Sequence, residues 1–124
     1  MKWGFLALLL VVLTGCLSMR PEEIRALPGE HYESTASVDG AVRCMRTRGA
    51  DYINVTTYPE SGEAEFTVET YQMMSVRIVY MASVARRDGG GTNVSAKFSG
   101  QNSWSLSESG FRDLLAQCMP RIKG

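Results

Sequence analysis

The spacing of apolar residues along this chain changes from helical to alternating and back again, and that succession limits the fold more than any other feature. Val38, Ala41, Val42 and Met45 stand at i, i+3, i+4 and i+7, the spacing of one helix face. Ser37 is placed to cap the start, Asp39 suits the first turn, Arg46 and Arg48 suit the last, and Gly49 can close the end. Phe111, Leu114, Leu115 and Cys118 repeat the pattern, with a capping-box sequence at Ser105-Leu106-Ser107-Glu108 and a stop at Pro120.

Between these two segments the period is two. Tyr52–Tyr58 is rich in β-branched and aromatic residues, and Pro59-Glu60-Ser61-Gly62 reads as a turn. Ala64, Phe66 and Val68 then alternate with Glu63, Glu65, Thr67 and Glu69. Met73–Ala85 makes a longer strand with Val76, Ile78, Tyr80, Ala82 and Val84 on one side. After the turn at Asp88-Gly89-Gly90-Gly91, Thr92–Ser99 alternates again. The expected fold is α+β: a two-layer sandwich of helix, four-stranded antiparallel meander and helix, with both helices on one sheet face.

The chain has 124 residues, 13 basic and 13 acidic side chains, and 44% apolar residues. The apolar excess is concentrated at the N-terminus, where 11 of the first 15 residues are apolar. Residues 1–16 hold one lysine, an uncharged apolar run and then Leu13-Thr14-Gly15-Cys16. That is the anatomy of an export signal, and Arg20 and Pro21 end the run short of the ~20 residues a membrane-spanning helix needs. The tetrapeptide resembles the lipobox of bacterial lipoproteins at all four positions. The resemblance implies that Cys16 receives a diacylglycerol, that cleavage follows Gly15, and that acyl chains such as palmitate hold the mature chain at a membrane. It further implies, because Leu17 stands where Asp would favour inner-membrane retention, attachment to the outer membrane facing the periplasm. In an organism with one membrane, the same motif implies the outer face of that membrane. The expected organisation is a signal peptide at 1–15, a lipidated cysteine and tether at 16–29 with breakers at Pro21 and Leu27-Pro28-Gly29, and one domain at 30–124.

If Cys16 carries lipid in an oxidising compartment, Cys44 and Cys118 are left to pair with each other. A disulfide between them is expected, worth roughly 4 kcal/mol in the chain-entropy model. Cys44 lies about 60° off the apolar stripe of its helix and Cys118 lies on its own, positions suited to two helices side by side. The alternatives are two buried thiols or a reactive Cys44. The last needs a base, and the only histidine, His31, is in the N-terminal segment.

No motif for a nucleophile, a phosphate loop or a metal cluster is present, so no catalytic residue, cofactor or metal is expected. Glu30, His31 and Glu33 are too few to hold a metal. The balanced charge argues against nucleic acid as partner. A partner-binding surface is expected where Arg77, Val79 and Met81 share the otherwise polar face of the long strand, with Tyr71 and Met73 extending it. A bulge, or coverage by residues 100–105 with Trp104, would account for the same residues. Arg43, Arg46 and Arg48 read as a solvated face that offsets the helix dipole, or as an attractor of phosphate or anionic headgroups. The function expected is a non-enzymatic envelope lipoprotein that binds another envelope component. The alternative is a periplasmic inhibitor or immunity lipoprotein whose acidic strand row blocks a basic toxin or hydrolase.

Overall fold

The computed structural model describes residues 21–72 and 75–122. Ser37 accepts a hydrogen bond from the Gly40 N–H at 3.0 Å and starts helix α2, Val38–Gly49. Ser107 does the same for Gly110 at 3.1 Å and starts α3, Glu108–Cys118. The cap of α3 is therefore Ser107 rather than Ser105. Residues 102–106 are committed elsewhere: the Leu106 carbonyl accepts from the Tyr80 hydroxyl, and Asn102 Oδ1 accepts from the Glu108 N–H.

Ahead of α2 lie a short helix, α1 (Pro21–Ala26), and strand β1 (Glu30–Ser34). After α2 a single 3-10 turn, Ala50–Tyr52, leads into β2 (Asn54–Tyr58), β3 (Glu63–Gln72), β4 (Ser75–Arg86) and β5 (Thr92–Phe98). All pairings are antiparallel, and the order across the five-stranded sheet is β1-β5-β4-β3-β2. The class is α+β, and β2 to β5 form the expected meander. Two additions change the architecture. Residues 30–34 join the sheet beside β5, and residues 21–26 form a helix with Ile24 fully buried where a tether was expected.

Packing follows from the alternation. Ala64, Phe66, Val68, Tyr80, Ala82, Val84, Val94 and Ala96 face Ala41, Val42 and Met45 of α2 and Phe111, Leu115 and Cys118 of α3 in one core. Tyr80 stacks on Phe111, centroids 5.4 Å apart. Cys44 and Cys118 form a disulfide across the two helices, with Cα atoms 5.4 Å apart, inside the usual range for such a bridge. Arg112 of α3 lies 3.8 Å over the Phe98 ring and pairs with Glu30 at 2.7 Å, tying β1 to the helical layer. The C-terminal segment does likewise, since Arg121 bridges Ser34 and lies over the Tyr32 ring.

On the other face, α1 lies against β4 and β5. Arg25 pairs with Glu65 at 3.1 Å, and its carbonyl accepts from Lys97 Nζ. The acidic row of β3 is thus partly committed within the fold. The Arg25 guanidinium is held above its usual pKa, chiefly by its hydrogen bond to Glu65.

Candidate functional site

Register decides what happens to the surface expected at Arg77, Val79 and Met81. Val68 pairs with Tyr80 but Glu69 pairs with Ile78, so β4 carries Val79 as an extra residue. Such a bulge reverses the alternation of the strand. Met81, paired with Thr67 and Lys97, belongs to the face that α1 covers. Arg77, paired with Thr70, belongs to the opposite, helix-bearing side. Val79 is fully buried, its carbonyl accepting from the Ser99 N–H at 2.9 Å, and Met81 is 4% exposed. The three residues do not form one exposed surface. Trp104 does not cover them, being 97% exposed itself. Met73 and Cys16 lie outside the described residues.

Beyond the bulge, the end of the β3–β4 hairpin extends past its neighbours, since β2 stops pairing at Thr67 and β5 at Tyr80. Tyr71 and Val76 pair directly there and are both exposed. Residues 102–106 buttress the hairpin. Ser103 Oγ donates to the Glu69 carbonyl at 3.1 Å, and the Ser103 N–H donates to the Tyr80 hydroxyl at 3.0 Å.

Two concavities lie elsewhere on the surface. The first, about 490 Å³, lies on the sheet face that also carries α1, with a floor of small side chains, Ser83, Asn93 and Ser95, beside His31 and Glu33. Among the described residues no group of three or more His, Cys, Asp or Glu side chains could hold a metal.

The second is a groove of about 960 Å³ at the end of the sheet where α2 begins, between the β2–β3 and β4–β5 turns. Four arginines line it, Arg43 and Arg46 from α2, Arg86 at the end of β4 and Arg87 just after it, against two carboxylates, Asp39 and Glu63. Arg87 pairs with Glu33 at 3.4 Å. Arg43, Arg46 and Arg86 have no carboxylate within ion-pair range among the described residues. Arg48, expected with them, points elsewhere and donates to Gln117 at 2.9 Å. The Arg86 guanidinium lies beside Gly62, where an added Cβ would stand 3.8 Å from its Nη2. Gly91, at φ +79°, brings the β4–β5 turn so close to Ser34 that a Cβ would collide with the Ser34 carbonyl. Glycines thus let both turns approach the groove.

The helix spacing marked Arg43 and Arg46, but nothing local marked Arg86. It continues the alternation of Tyr80, Ala82 and Val84 on the helix-bearing side, and what local pattern could not give is that α2 brings Arg43 and Arg46 to that end of the strand. No family model matches the chain, and no curated protein or solved structure is significantly similar to it.

Proposed function

We propose that the chain is an envelope lipoprotein, anchored through lipid on Cys16 to the periplasmic face of the outer membrane, whose domain is a non-enzymatic binding or structural accessory module. The observation that carries this reading is the Cys44–Cys118 disulfide. Disulfides persist in exported proteins, and this one accounts for two of the three cysteines. The remaining one ends Leu13-Thr14-Gly15-Cys16. The inhibitor reading is weaker, because it needs a free acidic row and Glu65 of that row is held by Arg25.

Metabolic labelling with a fatty acid tests the anchor. The wild-type chain is expected to take label and to fractionate with outer membranes. Cys16→Ser should lose both label and membrane attachment, and a labelled Cys16→Ser chain would sink the assignment. Leu17→Asp should move the protein to the inner membrane.

A further inference from the structure

We infer that the arginine groove between α2 and the two turns is a binding site for a compact phosphate-bearing ligand. The inference rests on the reading of the domain as a binding module and is independent of the anchor.

Like charges gathered on one surface repel, and a set of them left without carboxylates favours an anion between them. Arg25, Arg87 and Arg112 each have a carboxylate, and Arg48 has Gln117. Among the described residues, Arg43, Arg46 and Arg86 have none within range, and they border one groove. Each guanidinium is a planar fork of five donors matched to an oxyanion. Three such forks offer more donors than one carboxylate can accept, whereas a phosphate brings up to two charges and three terminal oxygens.

Asp39 and Glu63 on the rim restrict the ligand further. An extended polyanion needs an unbroken basic track, and here it would run against these carboxylates. A group with its charge concentrated on one or two phosphates fits between them. Tyr58, 41% exposed beside the turn, offers an aromatic edge to whatever carries the phosphate.

Such a group reaches the domain either as a phospholipid headgroup or as a soluble phosphorylated molecule, and the test separates the two. Full-length protein in neutral detergent micelles is titrated with inorganic pyrophosphate, then with pyrophosphate after phosphatidylglycerol is added to the micelles. Saturable binding is expected, weakened about tenfold by Arg46→Gln or Arg86→Gln alone and more by the pair, with unchanged thermal midpoints because these side chains are exposed. Arg48→Gln should bind as wild type. Displacement of pyrophosphate by phosphatidylglycerol, or binding of phosphatidylglycerol alone, identifies the headgroup as the source. Pyrophosphate binding without displacement identifies a soluble ligand. Failure of both probes to bind, or equal binding by the single variants, overturns the site while leaving the fatty-acid labelling result untouched.

Discussion

One hydroxyl organises the contact between the sheet and the loop ahead of α3. The Tyr80 oxygen accepts from the Ser103 N–H at 3.0 Å and has two acceptors for its proton, Leu106 O at 3.1 Å and Asn102 Oδ1 at 3.2 Å. Burial raises its pKa above the ordinary tyrosine value, against a smaller opposing effect of the Ser103 N–H. The folded state therefore favours the neutral phenol. As pH passes about 10, tyrosine ionises first in the unfolded chain, which then binds fewer protons than the folded one, so stability falls until the folded phenol also ionises. Tyr32 is shifted the same way, first by burial. Thermal melts across this range should show a steep alkaline loss that is reduced, though not abolished, in Tyr80→Phe. At neutral pH the same variant should cost about 1–3 kcal/mol, because the buried Ser103 N–H loses its acceptor. Thr92 presents the opposite case. Its Oγ1 is buried with no hydrogen-bond partner among the described residues, so Thr92→Val should raise the denaturation midpoint, by about 1 kcal/mol of stability; a loss of stability would show that the hydroxyl has a partner after all.

Among the elements, α1 is the one whose role differs most from its sequence. Six residues with two flanking breakers read as a tether, and in isolation they would not hold a helix. They do so because Ile24 is fully buried on the sheet face that also presents Met81. Ile24→Ala is expected to cost about 2 kcal/mol, or less if α1 simply undocks, and hydrogen exchange should localise the loss to residues 21–29. Arg25→Ala should cost below about 1 kcal/mol, because the Arg25–Glu65 pair is half in solvent on the Arg25 side. A larger loss for Arg25 than for Ile24 would mean that the ion pair, rather than apolar burial, holds the helix down. The long helices and strands β2 to β5 were legible because each repeats its own period over several residues. The break in alternation at Val79 was legible, with a bulge as one of its readings; that the bulge was the right one, moving Arg77 to the other face, was decided by pairing with β3.

For the whole molecule, the disulfide closes a separation of 74 residues and joins α2 to α3. Its chain-entropy contribution is about 4 kcal/mol, a large share of the ~5–15 kcal/mol net stability of a domain. Denaturant titrations with and without reductant should differ by about that amount, with Cys44→Ala plus Cys118→Ala matching the reduced wild type. A difference near zero would mean that the layers hold without the staple. The same cross-link fixes α2 over the sheet and with it the two arginines of the groove.

Read alone, the chain yields the two long helices, the alternating strands and the lipobox resemblance, with Cys44 and Cys118 as candidates to pair, because each depends on neighbours a few residues apart or on a count. It took long-range packing to settle that residues 30–34 pair with β5, more than fifty residues later, that α1 covers the second face, and that Arg86 stands beside Arg43 and Arg46. Those outcomes depend on burial between distant segments, and the facing of Arg77 depends on a register that a single bulged residue resets. No local period carries that information, and so the site expected at Arg77, Val79 and Met81 gave way to a groove at the other end of the same strand.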